Sequence, residues 1–301
     1  MSRCLVTGGA GFIGSNLVDA LIENGHKVAI IDNESAESNE KFYWNKKAEH
    51  FKINILNRIQ VEGVFRNFQP EWIFHLAAES RIQPTIDNPT EACSVNFMGT
   101  AFLLDLCRKF EIEKFIFSST SASYGLKNKP PLKEDMKPDC LNAYSVSKVA
   151  SENLCKIYYD LYGLKTIVFR YFNIYGKRQP LKGQYAPVVG LFLEQKKRSE
   201  PLTIVGDGSQ SRDFTHVDDV IRANILAAET KNKNAFGEIF NVGTGEESTV
   251  LELATKISDN ITYIPSRPGE AQQTLADITK AKEILNWEAK KSLENYIKEN
   301  I

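Results

Sequence analysis

Residues 5 to 16, LVTGGAGFIGSN, constrain this chain more than any other stretch. An apolar run stops at Gly8, a helical pattern opens near Ile13, and Gly11 and Gly14 stand where the two meet. The turn must therefore be tight, with its backbone bare of side chains. Beyond it, short β-branched and aromatic runs alternate with longer segments of helical period. They are KVAII, Arg58 to Phe68, EWIFHLA, Thr90 to Lys109, KFIFSS, Ala143 to Tyr162 and KTIVFR. Such alternation predicts βαβ units wound into a parallel sheet with helices on both faces, an α/β fold of the doubly wound class. The polar segment from Glu34 to Glu49 reads as a loop or a loosely held helix.

After Arg170 the rhythm breaks, and Gly176, Pro180, Gly183, Pro187, Pro201, Gly206 and Gly208 punctuate shorter elements. A first domain over residues 1–170 and a smaller lobe over residues 171–301 are expected. In the second part, Val217 to Glu229, Thr249 to Ser258 and Ile278 to Leu285 read as helices and IFNVG as a strand. Because IFNVG follows a helix and ends in glycine, it is expected to return to the first sheet. Residues 215–245 would then belong with the first domain, and the lobes would interleave.

Charge narrows the partners. Lysine and arginine number 37 against 38 acidic residues, so no net field favours nucleic acid or a membrane surface, and an anionic ligand must be held locally. Five cysteines form no C-x-x-C pair, which fits reduced thiols in a cytoplasmic protein. No apolar run approaches bilayer length, and MSRCLVTGG lacks the basic and apolar regions of a signal peptide. His26, His50, His75 and His216 lie without metal-ligand spacing, so no metal is expected.

The glycine turn gains its meaning from an acid. Asp32 closes KVAIID roughly 20 residues after the glycines, where a carboxylate binds the adenosine ribose of a dinucleotide whose pyrophosphate rests on bare backbone at a helix start. A carboxylate there repels the extra phosphate of NADP, so NAD is the expected cofactor. Asn54, read as the end of a third strand, is a candidate for the adenine or for a simple turn.

Tyr144 and Lys148 are four apart on a predicted helix and leave the same face. Tyr43 and Lys47 repeat that spacing in a polar segment without chemical context. What distinguishes Tyr144 is the strand before its helix, whose end carries the hydroxyl-rich FSSTSASYG. Ligands of doubly wound sheets sit beyond such strand ends. Lowering a phenol by about 3 pKa units, to serve as a base at neutral pH, takes about 4 kcal/mol of phenolate stabilisation. Lys148 and the charge of NAD⁺ are the expected sources.

With these motifs in place the chain resembles the extended short-chain dehydrogenases/reductases, and within them the NAD-dependent nucleotide-sugar epimerases. The resemblance rests on TGGAGFIGS, HLAA, SSTSASYG, NAYSVSK, RYFNIYGKRQ, GDGSQSRDF, FNVGTG and RPGE, in that order along nearly the whole chain. It implies a Rossmann domain with Tyr144 as the base, Lys148 lowering its pKa and binding the nicotinamide ribose, and Thr120 bonding the reacting hydroxyl. It sets Gly8, Gly11, Phe12, Ile13, Gly14, Asp32, Asn33, Asn54, Ile55, Leu76, Ala77, Ala78, Asn96, Ser118, Ser119 and Tyr171 beside the cofactor. Asn173, Arg212 and Arg267 would hold the nucleotide diphosphate of a UDP-sugar, and Glu270 would lie near the uridine ribose. Guanidinium groups suit phosphate geometry.

The family also contains 4,6-dehydratases, decarboxylases and reductases. A dehydratase carries an Asp-Glu pair just after the catalytic Ser/Thr and a decarboxylase a glutamate, whereas this chain has Ser121 and Ala122. A 4-keto sugar without those carboxylates is left to take its hydride back on the other face, so the resemblance implies a UDP-sugar 4-epimerase. Thr274 matches a position where a bulky side chain can exclude N-acetyl sugars, so UDP-GlcNAc or UDP-GalNAc is expected as substrate, along with UDP-glucose and UDP-galactose. A UDP-glucuronate 4-epimerase is the nearest alternative, since nothing here defines the C6 group. A non-catalytic nucleotide-binding protein would have lost Thr120, Tyr144 or Lys148, and all are present. The family commonly pairs two long helices in a homodimer, here Thr90 to Lys109 and Ala143 to Tyr162.

Overall fold

The computed structural model describes residues 1–36, 41–181, 187–266 and 271–301. The chain runs through β1 (Arg3–Thr7), α1 (Phe12–Glu23), β2 (Lys27–Asp32), β3 (Glu49–Lys52), α2 (Arg58–Phe68) and β4 (Trp72–His75). It continues through α3 (Gly99–Lys109), β5 (Lys114–Thr120), α4 (Ala143–Tyr162) and β6 (Lys165–Tyr171). The later part contains α5 (Val188–Lys197), β7 (Leu202–Val205), α6 (Val217–Glu229), β8 (Glu238–Val242), α7 (Val250–Ile257) and β9 (Ile261–Ile264).

Seven strands form one sheet in the order β8-β6-β5-β4-β1-β2-β3, with every neighbouring pair parallel. Successive residues of a strand point to opposite faces, and here both faces are apolar. Val6, Ile30, Phe74 and Phe169 pack with Leu17 and Val18 of α1 and Val220 and Ala223 of α6. On the other face Leu5, Ile31, Phe115 and Phe117 pack with Phe65 of α2, Leu103 and Leu104 of α3 and Cys155 of α4. Burial on both sides is why these strands read as unbroken apolar runs. The chain moves outward from β1 to β3 and then crosses back to β4, leaving a crevice at the carboxyl ends of β1 and β4.

IFNVG does return to this sheet: β8 pairs with β6, Phe240 opposite Phe169. After β6 the chain leaves this sheet; α6 then packs on it and β8 joins its edge. The remaining lobe pairs β7 with β9 and sets Ser211–Arg212 between Ser248–Thr249 and Gln273–Thr274. Phe192, Ile204, Phe214, Leu253 and Ile257 form its core.

α4 has the expected limits because both ends are capped. The Asn142 side chain accepts from the Ser145 amide at 2.9 Å, Ser145 reciprocates, and Gly163 turns the chain away at φ 71°. The helix expected over Thr90 to Lys109 is interrupted: a short helix, Pro89–Cys93, passes into a π-helical turn, Ser94–Met98, before α3. The cause lies at Asn96, whose carbonyl accepts the hydroxyls of Thr100 and Ser151 at 2.5 and 3.0 Å. β3 ends at Lys52, short of Asn54, and α5 stands in a stretch where proline and glycine punctuation hid any period. No helix among the described residues is long and apolar enough to cross a membrane.

Candidate active site

A cavity of about 280 Å³ follows the crevice. Its floor is the glycine turn. Gly8 has φ 70°, and a Cβ there would stand 2.7 Å from the Ala77 nitrogen; a Cβ at Gly14 would collide with the Gly8 carbonyl. α1 starts on Gly11, which offers no side-chain cap, so its first-turn amides are left for an anion. Asp32 ends β2 nearly buried, with its carboxylate accepting the Ala10 and Glu34 amides at 3.1 and 2.8 Å. Burial raises its pKa, and the hydrogen bonds oppose that rise.

Phe12, Ile13, Asn33, Asn54, Ile55, Leu76, Ala77 and Ala78 line the same cavity, as do Ser118, Ser119, Tyr144, Lys148 and Tyr171. Asn54 uses its side-chain oxygen in a turn, accepting the Leu56 amide at 2.9 Å. Asn96 is the exception to the expected set. It is buried behind the wall, gripping the Glu79 backbone at 2.8 and 3.0 Å and donating to Ser147 at 3.1 Å. It supports the Ala77–Ser80 segment instead of lining the cavity. His75 is likewise structural. Its ring bridges Thr7 and Thr100 at 2.7 and 2.9 Å, and burial holds it well below the usual imidazole range.

A second cavity of about 570 Å³ opens toward the smaller lobe. Ile13, Ser80, Ser119, Tyr144 and Tyr171 belong to the walls of both cavities. Tyr144 thus stands at their junction, hydrogen-bonded to Thr120. Burial pushes the phenol's pKa up and the Thr120 bond pulls it down. Lys148 is buried with its ammonium 4.5 Å from the Phe117 ring centroid, and burial pushes its pKa down to about 8. Tyr171 is occupied differently: burial raises its pKa to about 12, and its hydroxyl is shared between Ser118 at 3.0 Å and Asn224 at 2.8 Å. Tyr43, the alternative tyrosine with a lysine four residues on, lies instead under the Arg178 guanidinium at 4.7 Å.

Thr120, Asn173, Arg212 and Thr274 line the larger cavity. Asn173, at φ 32°, donates to the Asp213 carbonyl and the Thr274 hydroxyl at 3.0 and 3.2 Å, tying β6 to the far lobe. Arg267 and Glu270 lie outside the described residues. Among the described lining residues of this cavity there is no aspartate or glutamate, and Ser121 and Ala122 are part of the wall. Glu79, Ser80 and Arg81, which follow HLAA directly, add wall residues that the sequence reading did not name, and Asn224, a polar residue on the buried face of α6, supports the wall by donating to the Tyr171 hydroxyl.

The family model for GDP-mannose 4,6-dehydratase matches residues 5–300. The chain belongs to this family of extended short-chain dehydrogenases/reductases. Within the family it is similar to the UDP-glucose 4-epimerase of Thermotoga maritima, solved with UDP-glucose. That likeness has 40% identity and a TM-score of 0.92, and covers 99% of this chain and 97% of that one. A UDP-N-acetylglucosamine 4-epimerase from Methanobrevibacter ruminantium, solved with UDP-N-acetylmuramic acid, is 32% identical at TM-score 0.91, over 99% and 96%. The Thermus thermophilus UDP-glucose 4-epimerase, solved with NAD, is 32% identical at TM-score 0.89, over 99% and 97%. The family model's description names a dehydratase, yet this extended dehydrogenase/reductase has no carboxylate at Ser121 and Ala122.

Proposed function

We propose that this protein is an NAD-dependent 4-epimerase of a UDP-sugar. The observation that carries the reading is Tyr144 at the junction of the two cavities, bonded to Thr120 and one helical turn from Lys148. NAD, when bound in the smaller cavity, supplies the hydride acceptor and donor at C4. Tyr144 takes the proton of the C4 hydroxyl and later returns it, and Thr120 orients that hydroxyl. The phenol is raised by burial, so the drop that a base needs falls to Lys148 and to the charge of the oxidised cofactor. Elimination or decarboxylation calls for a second acid–base group near C5 and C6, and the described lining of the sugar cavity has no carboxylate. The 4-keto sugar is therefore left to turn within the larger cavity before reduction on its other face, with no net oxidation.

Arg212 and Asn173, with Arg267 from the sequence, suit the nucleotide diphosphate, and Glu270 suits the uridine ribose. Thr274 is a small side chain in the wall of the larger cavity, which favours UDP-GlcNAc and UDP-GalNAc along with UDP-glucose and UDP-galactose. A second reading, a UDP-glucuronate 4-epimerase, is favoured by Arg81 in the wall of the sugar cavity. Val146, Ile157, Leu161 and Tyr162 of α4 are exposed, which supports a homodimer through that helix. The free cysteines support a reducing, cytoplasmic setting.

Proton NMR of the purified protein with UDP-glucose, UDP-GlcNAc and UDP-glucuronate in turn tests the reading. Inversion at C4 is the expected result for at least one. A 4-keto-6-deoxy sugar or a pentose would overturn it.

A further inference from the structure

Behind the junction lies a charge pair that the reaction as described does not use. Glu152 and Arg170 are 1% and 2% exposed. Arg170 donates from Nε to Oε1 at 3.0 Å and from Nη2 to Oε2 at 2.7 Å. The Ser119 hydroxyl donates to the same Oε1 at 2.5 Å. Ser119 is in the wall of both cavities, so with its hydrogen committed to Glu152 its oxygen lone pairs remain for a ligand. Glu152 also follows Lys148 by four residues and Tyr144 by eight, so all three share one face of α4.

Few other groups act on Lys148. From β4, His75 is kept neutral by burial, and along α4 the buried Cys155 thiol is pushed up and Tyr144 remains a phenol. From β5 it meets the Phe117 ring. Glu152 is the charged neighbour among the described residues, and it opposes the loss of the ammonium that burial promotes. Fold stability does not call for such a pair. A buried ion pair is commonly matched or surpassed by apolar side chains of similar volume.

We propose that Glu152, held by Arg170, is a positioning residue for the epimerase reaction: it aims the Ser119 oxygen into the junction and sets its carboxylate one helical turn beyond Lys148, on the face that carries Tyr144. Glu152 lines neither cavity and acts through the Ser119 and Lys148 side chains.

The test uses the double variant Glu152→Met/Arg170→Met, which removes both charges without leaving either buried alone, and the single variant Glu152→Gln. Thermal unfolding, kcat and KM are followed from pH 6 to 9.5. The double variant is expected to unfold near the parent temperature with kcat reduced about 10- to 100-fold, as for other supporting residues behind a site. The basic limb of its kcat profile moves about one unit lower, because Lys148 loses its charge earlier. Glu152→Gln moves the limb the same way. A double variant with the parent's kcat and basic limb would overturn the proposal. Ser119→Ala, which leaves the ion pair intact, tests the other half without a folding risk. About tenfold lower kcat with an unmoved limb is expected, and parent-like kcat would remove that half. The inference rests on the epimerase reading. A parent inactive on every UDP-sugar would remove that reading, whereas an active parent with an indifferent double variant removes only this inference.

Discussion

The two cavities meet at Tyr144 but are built by different means. The cofactor side is backbone shaped by strand ends: a glycine turn, the carboxyl ends of β1, β2, β4 and β5, and the carboxylate of Asp32 at the end of β2. The sugar side is assembled from side chains on segments far apart in the chain, with Arg212 and Thr274 on strands of two residues each. Backbone geometry tolerates almost no change. Side chains on short strands can be exchanged while the fold stands, which is how one scaffold serves several sugars and several fates of a keto intermediate.

That contrast sets an order of expected effects. Tyr144→Phe belongs to both sides and should cost about 10³-fold in kcat, while calorimetry still registers UDP-sugar binding. Undiminished turnover would end its assignment as the base. Gly14→Ala drives a Cβ against the Gly8 carbonyl, and overpacking of this kind costs about 1–3 kcal/mol. Protein purified from this variant should carry little NAD and melt several degrees lower; full occupancy would contradict the backbone account. Arg212→Ala, on the side-chain half, should raise KM about 10- to 100-fold with kcat kept within a few-fold. Thr274→Tyr should be the smallest change, lowering turnover of UDP-GlcNAc about tenfold and sparing UDP-glucose. Equal turnover of both sugars would remove the argument from pocket size.

Acidity gives a prediction in which stability and activity part. Lys148 is lowered to about 8 in the folded protein, below the ordinary lysine value it regains on unfolding. Its stability penalty is complete below pH 8 and is relieved as pH rises toward that ordinary value, because the unfolded chain binds the extra proton there. Its charge, which the Tyr144 phenolate requires, disappears over the same window. Between about pH 8 and 10, kcat should therefore fall while this residue's contribution to stability rises. Comparing the parent with Lys148→Met in melting curves across that range isolates the second trend.

The same division explains what could be read from the sequence. The glycine turn, Asp32 and the Tyr144–Lys148 pair were legible because each obeys a local rule: a strand end, a helix start, a four-residue step. The return of β8 to the first sheet was legible from a helix followed by a glycine-ended apolar run. Asn96 stands behind the lining because its position in a motif says nothing of which way its amide turns, and it turns to the Glu79 backbone. The π-helical turn depends on hydroxyls from α3 and α4 meeting one carbonyl, a tertiary fact without a period. Glu152 continued the Tyr144–Lys148 step on α4, yet its meaning needed Ser119 from β5 and Arg170 from β6.

The central claim is that C4 is oxidised and then reduced within one closed site. A UDP-sugar deuterated at C4, turned over in ordinary water and read by NMR, tests it most directly. The account predicts that the epimer keeps its deuterium at C4, with no solvent hydrogen entering at C4 or C5. Deuterium lost to solvent from C4, or solvent hydrogen appearing at C5, would contradict it.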